Sequence, residues 1–390
     1  MNDSANNNKP LPFGIYFSVT VFLCLIGLFD TFYLVVSHYR NYLDVSYRSF
    51  CAISRAVNCD TVSQSSYSIF LNVPVAVWGM FGYLIVFTML IFAWHCRKNT
   101  RGRIWASIFI ISLIYSIISI ILAIVSSYLI HSYCIMCILS YAVNFSLLFV
   151  SWLIFNRFGE NNLFVGLKLD YYLLFSKRKI TSFFVIAFLS IAVALIFYYP
   201  KYWLIEFEVL DANLKSGVTA EGYPWIGAED PELTITEFTD YQCFQCRKMH
   251  FFLRQLIANY PDKIRLIHRH FPMDHEFNPL VTKPYHTGSG KMAIIGLYAQ
   301  AKGQFWMMND FLFNLVAKNK DFNTKTIADK MGVTSGEVVA ALNNNQLRLM
   351  LKHDIAIGIK HDITGTPGYV INGIVYLGQI PPDILNSYIR

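Results

Sequence analysis

Charge is what this 390-residue chain has least of: Asp, Glu, Lys and Arg make up 15% of it, against 55% hydrophobic residues. That ratio excludes a single soluble globule and predicts a membrane part. The apolar residues crowd the first half, whereas after about Pro200 charged, aromatic and turn residues mix in ordinary proportions. No small-residue cleavage site follows the first apolar run, so 13–38 reads as a retained signal anchor rather than a removed signal peptide. A basic, aromatic-interleaved patch is also missing, and the formal charge of +7 needs no nucleic acid to explain it.

Five apolar stretches are long enough at 1.5 Å rise per residue to cross a hydrocarbon core: 15–37, 75–94, 104–130, 134–155 and 180–199. Their short connections carry an uneven positive charge. Lys9, the group Arg97, Lys98, Arg101 and Arg103, and the group Arg157, Lys168, Lys177, Arg178 and Lys179 fall on one side, against Arg40, Arg48 and Arg55 in the first opposite loop and none in 131–133. The positive side faces the cytoplasm, which puts the amino terminus inside and everything after Tyr199 outside.

That topology sorts the eight cysteines. Cys51 and Cys59 lie in an outer loop, Cys134 and Cys137 at the outer end of the fourth span, and Cys243 and Cys246 in the outer domain. Three pairs share the face where disulfides persist. Cys24, inside the first span, and Cys96, at the inner end of the second, have no obvious partner and read as small buried or reduced thiols.

In the outer domain a Thr- and Phe-rich strand, 233–239, runs straight into Asp240-Tyr-Gln-Cys243-Phe-Gln-Cys246, and a helical pattern continues to about Tyr260. A Cys-x-x-Cys at a strand-to-helix junction places the first sulfur at a helix N-terminus, which favours its thiolate. Cys243 is then the nucleophile and Cys246 the resolving thiol. A second strand, 264–270, a largely helical stretch, 291–360, and Gly365-Thr-Pro367-Gly-Tyr-Val-Ile-Asn-Gly373 follow, the last reading as loop, strand and tight turn. No second cysteine pair is available here to complete a zinc shell, and His268, His270 and His275 read as ordinary strand-face residues, so no metal is expected. These residues resemble the DsbA-type branch of the thioredoxin fold over 229–390. The resemblance implies that Pro367 is cis and faces the cysteine pair, where it holds a substrate chain beside Cys243 as an added strand. Phe244-Gln245 lacks the His of strongly oxidising members, which leaves the redox poise open.

In the membrane half, Cys51 and Cys59 are followed by Ser65 and Tyr67, and Tyr133-Cys134-Ile-Met-Cys137 opens the fourth span with Tyr141 four residues on. By spacing alone the loop pair is equally a stapling disulfide. The combination resembles the vitamin K epoxide reductase family over about 19–156. It implies a four-helix bundle enclosing a quinone, with Cys137 meeting the ring, Cys134 exchanging with a loop cysteine, and Ser65 and Tyr141 near the site. Asp30, an acid in the outer half of a span, reads either as a support for the loop or a proton path, or as a hydrogen-bonded residue near the interface beside Thr31.

The expected architecture is a membrane α-helical bundle, four core helices plus a fifth linking span, followed by an α/β thioredoxin-like domain with a helical insertion. Its divisions are a quinone-binding transmembrane domain at 1–158, a cytosolic connection, fifth span and linker at 159–228, and the DsbA-like domain at 229–390. The two resemblances together imply a multi-pass thiol oxidoreductase of the cytoplasmic (inner) membrane. It would pass electrons from reduced secreted or periplasmic proteins through Cys243/Cys246, Cys51/Cys59 and Cys134/Cys137 to ubiquinone or menaquinone. Rival readings are a quinone or quinone-epoxide reductase fed by the outer domain, a carrier of cytosolic reductant, and a membrane-tethered chaperone without catalysis.

Overall fold

The computed structural model describes residues 11–44, 47, 49–53, 57–94, 103–160, 162–176, 178–204, 214–317 and 322–389. Lys9, Arg48, Arg55, Cys96, Arg97, Lys98, Arg101 and Lys177 lie outside these. The chain divides into two compact units, Met1–Tyr202 and Trp203–Arg390.

The first unit begins with α1 (Phe13–Leu43), a short α2 (Cys59–Gln64) and a hairpin of β1 (Ile69–Phe70) and β2 (Val73–Pro74). It continues through α3 (Val75–Trp94), α4 (Trp105–Val125), α5 (Ile135–Phe158), α6 (Leu163–Ser176) and α7 (Arg178–Tyr198). Five helices are long and apolar enough to cross a membrane: Phe13–Leu43, Val75–Trp94, Trp105–Ile130, Ile135–Phe158 and Lys179–Leu204. Only 6% of the last is buried, against 22–28% of each of the others, so four helices build the bundle and the fifth lies against it. Apolar residues such as Phe22, Ile121 and Phe197 stand exposed, as they must where the solvent is hydrocarbon.

Within the bundle Leu90, Ile104, Trp105, Ile108, Leu147 and Ile154 are fully buried. Gly27 of α1 is there because nothing larger fits: a Cβ at this position would come within 2.3 Å of the Tyr83 ring of α3. Helix α6 falls in the stretch read from sequence as a plain connection, and its Asp170 caps α4. The carboxylate accepts from the amides of Ile104 at 2.5 Å and Ser107 at 2.9 Å, and from the Ser107 hydroxyl at 2.9 Å, taking up donors a helix start leaves unpaired.

The second unit is built on a six-stranded sheet with the order β3-β4-β6-β5-β7-β8. Its elements are β3 (Ser216–Val218), β4 (Pro224–Gly227), β5 (Leu233–Thr239), α8 (Phe244–Asn259), β6 (Ile264–His270), the helical insertion α9 (Ser289–Ala301), α10 (Phe305–Ala317), α11 (Thr324–Met331), α12 (Ser335–Leu342) and α13 (Asn345–Lys360), then β7 (Gly368–Ile371), β8 (Ile374–Leu377) and α14 (Pro382–Ile389). β5 and β6 run parallel and occupy the bounds read from sequence, while β5–β7 and β7–β8 are antiparallel. Asn372 and Gly373, at φ 51° and 79°, make the tight turn between the last two strands. The sheet starts before residue 229. β3 and β4 pair through a turn in which the Thr219 amide donates to Tyr223 O at 2.8 Å, and β4 joins β6. They are three and four residues long and bounded by Gly and Pro, too short to show an alternation. Apolar residues cover both faces: Tyr241, Phe251, Met308 and Phe313 in one cluster, Phe238, Phe271, Ile294 and Leu351 in another.

Candidate functional site

Each unit brings cysteines together. In the membrane unit Cys51 and Cys59 form a disulfide, Cα–Cα 5.6 Å, and Cys59 opens α2. Asn58 caps that helix, its side chain accepting from Asp60 N at 2.9 Å and Thr61 N at 3.2 Å. The same residue ties the loop to the turn before α5: its amide donates to Tyr133 O at 2.9 Å, and Ser132 Oγ donates to Asn58 O at 3.3 Å. This stitching carries the loop disulfide onto the start of α5, where Cys51, Cys59 and Cys134 pack in one buried cluster with Cys137 against it.

Cys134 is the N-cap of α5, and its sulfur accepts from Cys137 N at 3.2 Å. A cavity of about 220 Å³ opens beside the pair, lined by Cys59, Ser65, Tyr67, Cys134, Cys137 and Tyr141 with aliphatic side chains such as Val62, Ile118 and Leu122. Of the expected site residues in this unit, all but Cys51 reach its wall, and Cys51 is bonded to Cys59, which does. The far wall holds groups that sequence reading missed. Tyr83 donates to Asn144 Oδ1 at 2.7 Å, and Asn144 Nδ2 donates to Ser119 Oγ at 2.9 Å, a polar chain across α3, α5 and α4. Asp30 is 1% exposed and accepts from the Ser140 hydroxyl of α5, one turn beyond Cys137. Thr31 instead donates to its own helix, at Gly27 O, 2.7 Å away. Cys24 is a buried thiol donating to Tyr83 O at 3.4 Å.

In the second unit Cys243 is the N-cap of α8 and accepts from Cys246 N at 3.2 Å. Its thiol donates to Thr366 O at 3.5 Å, and the Thr366–Pro367 bond is cis, so the loop before β7 faces the pair. Cys243 is 8% exposed and Cys246 not at all. Burial pushes the Cys243 thiol up, but hydrogen bonding from Cys246 and the charge of His286 outweigh it and leave the thiol below its ordinary value. Cys246, more deeply buried and beside that sulfur, is pushed up.

Beneath the pair, Glu237 and His268 sit opposite each other on β5 and β6, 2.7 Å apart, and His268 Nε2 lies 3.3 Å from His270 Nδ1. Burial pushes Glu237 up to about 7 and both histidines down, so the rings are neutral. His275 lies 3.6 Å from Asp274 instead. Among the described residues no group of three or more His, Cys, Asp or Glu could hold a metal ion.

Two family models match the two units separately. The model of the vitamin K epoxide reductase family matches residues 18–152, and a thioredoxin model matches 219–390. The mouse (Mus musculus) vitamin K epoxide reductase complex subunit 1 is 29% identical over 141 residues, 34% of this chain and 87% of that protein. The Na(+)/H(+) antiporter NhaA of Herminiimonas arsenicoxydans is 22% identical over 147 residues; that stretch is 38% of this chain but only 22% of the antiporter. Among solved structures, the thiol-disulfide exchange protein alpha-DsbA2 of Wolbachia pipientis matches 42% of this chain and 84% of its own at 19% identity and a TM-score of 0.33. The chain therefore carries a vitamin K epoxide reductase family domain at 18–152 and, beyond the fifth apolar helix, a thioredoxin-like domain at 219–390.

Proposed function

We propose that this membrane oxidoreductase makes protein disulfides outside the cytoplasm and passes the electrons to a membrane quinone. The observation that carries the reading is the shared cavity: Cys59 of the loop disulfide, Cys134 and Cys137, Ser65 and Tyr141 line one space in the bundle. An apolar space with a few hydroxyls at its wall fits a quinone ring with two carbonyl acceptors. When bound, quinone supplies the sink for two electrons and two protons.

The chain's own residues do the rest. A substrate thiolate attacks the Cys243–Cys246 disulfide at Cys243, and Cys246 leaves. The second substrate thiolate then attacks the substrate's own sulfur in the mixed disulfide, the bond to Cys243 breaks, and Cys243 departs as thiolate. The substrate has lost two electrons and two protons and the outer pair has gained them. Pro367 and the Thr366 carbonyl hold the substrate chain beside Cys243. The loop disulfide takes the electrons next, and Cys59, which shares the cavity wall with Cys134, exchanges with it. Oxidation of Cys134 and Cys137 to a disulfide releases the two electrons and two protons at the cavity, where Ser65 and Tyr141 orient the quinone. The charge bias of the connections supports a position for the cysteine pairs at the non-cytosolic side, and the reading assigns them to a bacterial-type inner membrane.

Cys137→Ala tests the relay. In membranes, Cys243 and Cys246 of this variant should accumulate as thiols when oxygen is absent and quinone is supplied. Reoxidation at the wild-type rate would sink the proposal.

A further inference from the structure

The two residues between Cys243 and Cys246 carry no charge, yet a buried anion stands three residues before the nucleophile. Asp240 is 1% exposed. Its Oδ1 accepts from Gln242 N at 2.6 Å, and its Oδ2 from Met273 N at 2.6 Å, Ser289 Oγ at 3.0 Å and His286 Nδ1 at 3.0 Å. The peptide carbonyl of the same residue accepts from Cys243 N at 3.1 Å. A fixed negative charge so placed opposes a thiolate on Cys243.

His286 comes from the segment between β6 and α9 and is held against this turn. Gln242, the residue before Cys243, donates through Nε2 to Thr287 O at 2.9 Å, which pins the neighbour of His286 to the active-site turn. The Tyr285 ring stacks on the imidazole, 4.1 Å between centroids and 15° from parallel. His286 itself takes φ 41°, the left-handed region that non-glycine residues rarely occupy. Its side chain is 19% exposed, whereas that of Asp240 is fully buried.

We propose that His286, held by Asp240, is the positioning residue that offsets the buried anion and favours the Cys243 thiolate, supplying from a distant loop the cation that the Cys-x-x-Cys turn lacks. The proposal rests on Cys243 being the exchanging thiol and needs no quinone step. Cys243 is the leaving group when the substrate disulfide closes: the bond between it and the substrate sulfur breaks and the electron pair stays on Cys243. A steadier thiolate leaves more readily and makes the outer pair a stronger oxidant. The opposing signs agree, since His286 lowers the Cys243 thiol and Asp240 raises it. Other titratable groups at this turn include Tyr285 and Asp274, the latter accepting from the Gly288 amide at 2.8 Å.

The test uses the full-length, detergent-solubilised protein as wild type, His286→Gln and His286→Lys. Gln keeps a donor for Asp240 without charge, and Lys restores charge. Iodoacetamide alkylation of the reduced proteins is followed at the Cys243 peptide by mass spectrometry from pH 4 to 9, and the Cys243–Cys246 equilibrium with glutathione is measured beside it. His286→Gln should lower the thiolate fraction on the acidic limb about tenfold and make the disulfide about tenfold harder to reduce, the size of one nearby opposite charge. His286→Lys should recover both to within about threefold. Superimposed profiles for wild type and His286→Gln, or a His286→Lys profile equal to that of His286→Gln, overturns the role of the charge and leaves the redox reading standing. An ordinary thiol profile for Cys243 in the wild type overturns both.

Discussion

Replacing Asp30 by Asn is expected to slow quinone reduction and leave exchange between the cysteine pairs untouched. Asp30 is 1% exposed; one oxygen accepts from Ser140, and Oδ1 has no hydrogen-bond partner among the described residues. An acid in the apolar part of a span costs about 2.5–3.5 kcal/mol on insertion scales, and one hydrogen bond to a charged group returns about 1.5–3 kcal/mol. The two nearly cancel, so Asp30 contributes little to the fold, and a stability role does not explain it. Its position does. Ser140 lines the cavity one turn beyond Cys137 and links the carboxyl to the place where the proposed relay releases thiol protons and delivers them to quinone. Removing a positioned general base typically costs a factor of about 10² to 10⁴, and a hundredfold loss is about 2.7 kcal/mol of barrier. The assay is stopped-flow quinone reduction by prereduced full-length protein, scanned in pH, with Asp30→Leu as a stability control. A rate for Asp30→Asn within about threefold of wild type at every pH refutes the reasoning, as does a large loss of stability in Asp30→Leu.

Two further outcomes follow from packing and burial. Gly27→Ala should destabilise the membrane unit by about 1–3 kcal/mol and weaken quinone binding: the added Cβ would lie 2.3 Å from a Tyr83 ring that is 2% exposed and tethered to Asn144, so the ring must leave its place in the cavity wall. Thermal melts and KM for quinone read the two effects, and an unchanged KM would refute the link. Glu237 is held up to about 7 by burial, above its unfolded value near 4.5, so the stability its neutral form contributes is full below pH 4.5 and is lost as pH rises through 7. Denaturant melts of full-length protein at pH 5 and 8 should show the outer unit weakening by an amount on the order of 3 kcal/mol, with Glu237→Gln removing most of that slope; an equal slope in the variant would assign it to other groups, such as Asp354.

What could be read from sequence is what neighbouring residues decide. The five apolar runs, β5 and β6, the two Cys-x-x-Cys helix starts and the turn at Asn372-Gly373 are local patterns of period, length and turn chemistry, and they appear where those patterns lie. Partners chosen across the fold leave no such trace. Ser140 lies 110 residues from Asp30, Asn144 lies 61 from Tyr83, and Asp170 caps a helix that begins 65 residues earlier at Trp105. His286 falls in a stretch with no periodicity, and only the folded turn sets it beside Asp240. β3 and β4 escaped notice for another reason: strands of three and four residues carry too few positions to alternate.

The two Cys-x-x-Cys pairs use one local device on unrelated folds, and the difference between them lies in which of the two sulfurs is the more exposed. In each, the first cysteine is an N-cap whose sulfur accepts the amide of the second at 3.2 Å. In the outer unit the capping sulfur is the more exposed, Cys243 at 8% against Cys246 at 0%, so the thiol that helix geometry activates is also the one an incoming protein chain can reach. In the bundle the order is reversed: Cys134 is 3% exposed and clustered with the loop disulfide, Cys137 is only partly buried, and both line the cavity. A capping thiol packed with another disulfide, beside a less buried thiol on the wall of an apolar cavity, brings protein sulfur and that cavity together at one helix start, which is the contact the proposed relay requires.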